Sequence, residues 1–284
     1  MALSGRRIER YPWSMLRSLH GRTRRRGRPS APPAPVPSLD VGTATRAGAH
    51  GENQDRAATG DGWAVVSDGV GGHAGGARAS TLAVDAAIAV LTGSPGDRAS
   101  VRAAFRAAHA AVMAGQAADP RVAGMAATLV VAVASDAPVA EPGPGDEGWT
   151  IGHVGDSPAW YVTTEACRQV TDDHTLAGDL LRSGTLTPDE AASHPTRRFV
   201  TRVVGGQDGD QPDVTEVDLG VGDALVLASD GVADALSATR IGALVRAAPT
   251  AQDAAATLAA EAVSAGSRDD VTAVVLRRLA SSGA

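Results

Sequence analysis

The order of its patterned blocks constrains this chain most. Two long helical blocks, "ARASTLAVDAAIAVLTG" and "DRASVRAAFRAAHAAVMAGQAA", stand back to back. Each carries apolar residues at helical spacing and ends at glycine or polar breaks. "GWAVVSDG" precedes them as a strand, and the β-branched run "MAATLVVAVAS" follows them. A turn signal, "EPGPGDEG", separates that run from "WTIGHVGDSPAWYV", so the two are expected to pair as an antiparallel hairpin. "VTEVDLGVGDALVLASDG" reads as a second hairpin, turned at "GVGD". Two more helical blocks, "SATRIGALVRAA" and "AQDAAATLAAEAVSAG", come before a last strand, "DVTAVVLRRL". Helix pairs alternate with strand pairs, without strict βαβ alternation. The implied class is α+β: antiparallel sheets with helices packed outside.

The 284 residues are 43% hydrophobic, enough for one large domain or two small ones with a real core. Aromatic residues make up only 3%, so Ala, Val and Leu must do the packing. Cys167 is the single cysteine, which rules out an internal disulfide framework and suits a reducing, cytoplasmic setting. The longest uncharged apolar run, Met125 to Ala134, is too short to span a bilayer. All 26 basic residues are arginine, and nine of them lie in Met1–Ser38, where Glu9 is the only acid. Residues 1–38 therefore read as a disordered, basic, Arg/Pro-rich leader. Within it "YPWSMLRSLHGR" either touches an anionic membrane surface as a short amphipathic turn or is a solvated tail. Residues 39–284 carry a net charge of −14, which argues against a nucleic-acid role for the body.

Four aspartates sit beside apolar, β-rich runs: Asp68 in "VVSDGVGG", Asp156 in "GHVGDSPAW", Asp230 in "LVLASDGV" and Asp269 in "SRDDVTAVV". Each alone is compatible with a turn, since Asp and Gly are both depleted in strand interiors. Together they say more, because "SDG" twice follows a fully apolar strand, where a bare turn has no need of an acid. Carboxylates without histidine or cysteine companions favour hard cations such as Mg2+ or Mn2+. Two such ions sharing a water create a hydroxide-like nucleophile and clamp an in-line phosphoryl displacement.

The ordered motifs "GENQDRA", "VVSDGVGGHAGG", "AATLVVAVA", "GHVGDSPAW", "DDHTLAGDLLRSGTLTPDEAASHP", "LVLASDGV" and "SRDDVTAVVL" resemble the bacterial metal-dependent protein phosphatases of the PPM, or type 2C, family. The resemblance covers about 41–279. It implies two antiparallel β-sheets sandwiched between helix pairs, with metals at one edge. It also implies a PPM-type domain over 39–284 with a flap at about 172–206. By the same resemblance Asp68 bridges two core Mn2+ or Mg2+ ions, Gly69 lends its carbonyl oxygen, and Asp230 and Asp269 complete the metal ligands. Asp156 matches the ligand of a possible third ion, and Asp55 an acid that holds water at the metals. His73 is either an acid/base group or a helix-start residue, and His174 opens the flap in a structural role.

The chain departs from the family pattern at several points. His50 stands where the family carries the arginine that grips substrate phosphate; a guanidinium does this bidentately, an imidazole through one donor. The usual "GDSR" reads "GDSP" at Pro158, "RDN" reads Arg268-Asp269-Asp270, and the flap's usual "N-(V/I)-T-R" reads Phe199-Val200-Thr201-Arg202. No metal ligand is lost. The implied function is hydrolysis of phosphoserine or phosphothreonine in proteins by a metal-bridging water, on substrates of a Ser/Thr kinase. The enzyme is expected to be a monomer without transmembrane segments. The competing readings are a weak or inactive phosphatase-like module that binds phosphoproteins or a regulator, and a phosphatase for small phosphate esters.

Overall fold

The computed structural model describes residues 39–49, 51–70, 74–135 and 147–280. The leader, His50 and His73 lie outside the described residues. The chain runs through β1 (Leu39–Arg46), β2 (Arg56–Gly60), β3 (Trp63–Ser67), the short β4 (Gly69–Val70), α1 (Ala74–Leu91) and α2 (Arg98–Ala118). It continues through β5 (Ala126–Ala127), β6 (Leu129–Ala134), β7 (Glu147–Val154), β8 (Ala159–Val162), β9 (Cys167–Gln169), α3 (Leu176–Arg182) and α4 (Pro188–Ser193). Last come β10 (Asp213–Leu219), β11 (Ala224–Ala228), α5 (Asp230–Ala233), α6 (Ala238–Ala247), α7 (Ala251–Ser264) and β12 (Val271–Arg278).

These strands form two antiparallel five-stranded sheets, ordered β1-β12-β11-β8-β9 and β10-β7-β6-β3-β2. The central strands are apolar on both faces because both faces are covered. In β6, Val130 and Ala132 enter the layer between the sheets, while Leu129, Val131 and Val133 pack beneath α1 and α2. In β11, Leu225 and Leu227 face the first layer, and Val226 and Ala228 face α6 and α7. The two-residue strand period is intact, but it separates one core from another rather than core from water. The result is helices, sheet, sheet, helices, the expected α+β sandwich. Trp149 sits fully buried between the sheets. Trp149→Ala there would cost about 3–5 kcal/mol.

The helices start where polar side chains can cap them. Asp97 accepts the Ser100 N–H at 2.8 Å at the head of α2, and Thr250 accepts the Asp253 N–H at 3.0 Å at the head of α7. Thr187 and Glu190 form a reciprocal capping box with Pro188 in the first turn of α4.

One expected pairing is wrong. β10 and β11 are not a hairpin: β10 pairs with β7 at the edge of one sheet, and β11 lies between β12 and β8 in the other. The "GVGD" turn passes from sheet to sheet instead of reversing within one. It is fastened to the end of β12, where Gly222 donates to Arg278 O at 2.9 Å and Arg278 N donates to Asp223 O at 3.0 Å. The stretch "WTIGHVGDSPAWYV" likewise divides. β7 pairs with β6 as expected, while β8 crosses to the other sheet.

Candidate active site

Because neighbouring strands run antiparallel, alternate strand ends share one edge of the sandwich. The ends of β3, β7 and β11 and the starts of β2 and β12 all fall there, and each carries one of the aspartates. Asp55 immediately precedes β2, Asp68 follows β3, Asp156 follows β7 by two residues, Asp230 opens α5 after β11, and Asp269 comes two residues before β12.

Hydrogen bonds lock the edge together across both sheets. Ser229 Oγ donates to Asp55 Oδ2 at 2.7 Å and accepts from the Thr272 N–H at 3.0 Å. Thr128 Oγ1 accepts from the Asp68 N–H at 2.9 Å and lies 2.6 Å from Ser157 Oγ. Ser67 Oγ donates to Thr128 O at 2.6 Å. Ser67 and Ser229, the serines of the two "SDG" strings, are fully buried, so each hydroxyl tethers the adjacent aspartate's strand end. Gly69 has its own packing reason: a Cβ there would lie 2.3 Å from the backbone of Gly76 at the start of α1. Gly155 adopts φ +108°, in the region that favours glycine, and turns the chain beside Thr128 toward Asp156.

The carboxylates repel one another. Burial, followed by the charges of Asp55, Asp230, Asp269 and Asp156, holds Asp68 well above the usual carboxylate range. Burial, then Asp156, Asp269, Asp234 and Asp55, does the same to Asp230. Burial pushes Asp55 up to about 6, against the nearby Thr272 side chain and the hydrogen-bonded Ser229 hydroxyl, which favour its charge. Asp156 is pushed up to about 7 by burial, then by Asp173, Asp234 and Asp269. Among the described residues no three of these acids are drawn tightly around a single point. Hydrated hard cations take one or two carboxylates each and keep several waters. Asp55 Oδ1 and Asp230 Oδ1 are buried without a hydrogen-bond partner in the structure, and a cation or its water is what such oxygens lack. The donor set fits Mn2+ or Mg2+.

The structure thus brings together Asp55, Asp68, Asp156, Asp230 and Asp269; His50 and His73 are not among the described residues. It also adds acids that the sequence reading did not place. Asp234 lies one helical turn after Asp230, a spacing that could have signalled it. Burial and the Asp234 charge raise Asp173 to about 6, although Gln169 donates to it at 2.7 Å. Asp270, the extra carboxylate beside Asp269, is not aimed at the cluster. It accepts the Gly48 N–H at 2.7 Å and the Gln54 N–H at 2.6 Å, and so fastens the chain at Gly48 and at Gln54. His174 is structural. It stacks on His153 with ring centroids 4.4 Å apart, and its Nδ1 accepts the Gly155 N–H at 3.0 Å.

A helix–sheet–sheet–helix sandwich with an all-carboxylate edge suited to hard divalent cations is the architecture of a metal-dependent phosphohydrolase. The protein phosphatase 2C family model matches residues 44–269. Protein phosphatase PhpP of Streptococcus pneumoniae is 33% identical over 219 residues, covering 75% of this chain and 84% of the pneumococcal protein. The crystal structure of the Mycobacterium tuberculosis serine/threonine phosphatase PstP superposes with a TM-score of 0.76 at 30% identity, over 85% of this chain and 99% of that one. The catalytic domain of PstP in complex with two manganese ions gives a TM-score of 0.71 at 28% identity, over 86% of this chain and all of that one. The chain belongs to the protein phosphatase 2C family. It is a metal-dependent serine/threonine protein phosphatase that uses Mn2+ or Mg2+ and acts on phosphoproteins. No helix among the described residues is long and apolar enough to cross a membrane.

Proposed function

We propose that Asp68, Asp230 and Asp269, with the Gly69 carbonyl, hold the two core ions, and that Asp156 holds a third. When bound, the ions neutralise the phosphoryl oxygens and make water nucleophilic near neutral pH, so that the serine or threonine oxygen leaves in line. Asp68 takes the central place because the fields of the other four acids converge on it. Asp55 spends one oxygen on Ser229 and keeps the other for water at this edge. Asp156 is carried on the Gly155 turn, and the charge of Asp173 acts on its carboxyl ahead of those of Asp234 and Asp269. His50 is the assigned phosphate contact and His73 a candidate acid/base group, both on sequence position.

Residues 39–284 form the phosphatase domain in this reading, with a flap at 172–206 and a basic leader before it. The substrates are the products of a Ser/Thr kinase, the single free cysteine suits a cytoplasmic site of action, and the enzyme works as a monomer in this reading. The observation that carries the assignment is the convergence of five acids from five strand ends on one sandwich edge, two of them with orphaned buried oxygens. The test is phosphate release from a phosphothreonine peptide with Mn2+ and with EDTA. Release that requires Mn2+ supports the reading; release unaffected by EDTA, or none under either condition, overturns it.

A further inference from the structure

A cavity of about 340 Å3 opens beside the metal edge, and two arginines share its wall with Asp230 and Asp269. Arg198 comes from the 172–206 segment, just after α4, and Arg268 from the loop before β12. Arg198 Nε is paired with Asp234 Oδ2, and Arg197 Nε lies 3.8 Å from Asp234 Oδ1. The Arg198 side chain still exposes 61% of its surface, and among the described residues no other bond engages its guanidinium. Asp234 therefore fixes one edge of the fork and leaves the terminal nitrogens for another anion. Arg268 is exposed; its backbone carbonyl accepts the Ala49 N–H at 2.8 Å, while its guanidinium has no partner among the described residues. Phe199, next to Arg198, exposes 68% of its surface and offers an apolar rim to a passing peptide.

Two guanidiniums beside a phosphoryl-transfer edge are placed to take a second negative group of the substrate. The cavity is walled by Asp230 and Asp269, so that group belongs to a residue close in sequence to the phosphorylated one: an extended chain advances only about 3.3 Å per residue. Resting on the phosphatase reading above, we propose that Arg198 and Arg268 form an anion subsite that selects phosphopeptides carrying a carboxylate or a second phosphate within about three residues of the scissile phosphate, with Asp234 orienting Arg198.

The test measures binding and turnover separately. Labelled peptides carry a non-hydrolysable phosphonate in place of the threonine phosphate and, two residues away, Ala, Asp, phosphoserine or Lys. Their Kd values for the full chain with Mn2+ are read by fluorescence anisotropy. The Asp peptide should bind about fivefold to tenfold tighter than the Ala peptide, and 0.5 M salt should erase most of the difference. The phosphoserine peptide separates the two anions: a further gain marks phosphate as the preferred group, and parity with Asp marks simple charge recognition. Arg198→Ala and Arg268→Ala should each bring the Asp-to-Ala ratio to about twofold or less, and Arg198→Glu should favour the Lys peptide. Each ratio is internal to one protein, so a weakened variant still reports. Equal wild-type Kd values for Ala and Asp, no measurable binding of any peptide, or a ratio unchanged in both alanine variants would overturn the subsite. Hydrolysis of the matching phosphate esters keeps the two ideas apart. Turnover with equal Kd values sinks the subsite alone, whereas a preserved Kd ratio without turnover sinks the phosphatase reading alone.

Discussion

Replacing Asp55 by asparagine should stabilise the metal-free protein at neutral pH while lowering its turnover. Asp55 is 3% exposed, accepts one hydrogen bond from Ser229 and leaves Oδ1 without a partner. Its carboxyl is held at about 6 against an ordinary value of 3.8, by burial first and by the charge of Asp270. Between those two values the folded chain binds more protons than the unfolded one, so stability falls as pH rises through the window and the cost is complete above it. A rise of that size corresponds to about 3 kcal/mol at pH 7.5. Asparagine removes the charge, keeps an acceptor for Ser229 and turns the orphaned oxygen into a donor beside Asp68. Asp55→Asn in EDTA should therefore gain about 1–3 kcal/mol at pH 7.5, or roughly 3–10 °C in Tm for a domain of this size. At pH 4 the gain should shrink to within about 0.5 kcal/mol, since both chains are then neutral at this position. Mn2+ at a hundred times its Kd should add about 2.7 kcal/mol to each protein that binds it, and less to the variant to the extent that Asp55 supports the ions through water. Thermal unfolding of both proteins at the two pH values, with EDTA and with Mn2+, is the assay. An Asp55→Asn protein less stable than wild type in EDTA at pH 7.5, or equally stabilised at both pH values, would refute the charge argument.

Other perturbations read different parts of the edge. Asp68→Asn and Asp230→Asn each remove a charged ligand, so kcat/KM with Mn2+ should fall about a hundredfold or more, equivalent to about 2.7 kcal/mol; near wild-type rates in either would displace the assigned core. Asp156→Ala should keep two tight Mn2+ sites by calorimetry yet turn over slowly, and loss of a tight site would make Asp156 a core ligand. His174 is held at about 4 by burial, then by His153 and Arg202, and a proton on Nδ1 would break its bond from Gly155. The unfolded chain therefore binds the extra proton between about 6.5 and 4, and stability is lost on acidification through that window. His174→Gln, which keeps an acceptor for Gly155, should lose about 2 kcal/mol less than wild type between pH 7 and pH 4, as read from urea midpoints; parallel losses would exclude His174 as the titrating group.

What could be read before folding was what a period or a misplaced charge encodes. Four helical blocks and the α+β class follow from spacing alone, and the metal-edge aspartates stand out because acids directly after apolar strands have no packing reason to be there. Sheet membership is not encoded in that way. A glycine turn such as 220–223 looks the same whether the next strand returns alongside the last or crosses to the facing sheet. The flanks mark an edge strand and a covered one, since "VTEVDL" alternates whereas "ALVLA" is apolar throughout. That contrast does not separate the two topologies, because the half-exposed β2 and the buried β3 are themselves joined as a hairpin. The adjacent acids Asp269 and Asp270 take different roles for a reason of local geometry. At a strand start successive side chains point to opposite sides, so two adjacent acids cannot both serve one site; Asp269 stays exposed beside the cavity, while Asp270 is buried on backbone amides. Arg198 left no trace, because an arginine in a polar segment is common on any surface, and Arg268 stood in the "SRDD" motif with no role of its own. Only the fold shows that Arg198 and Arg268, 70 positions apart, border the same cavity as Asp230 and Asp269. The acids of such a site are therefore legible from sequence. The groups that choose its substrate depend on which loops the two sheets bring to one edge.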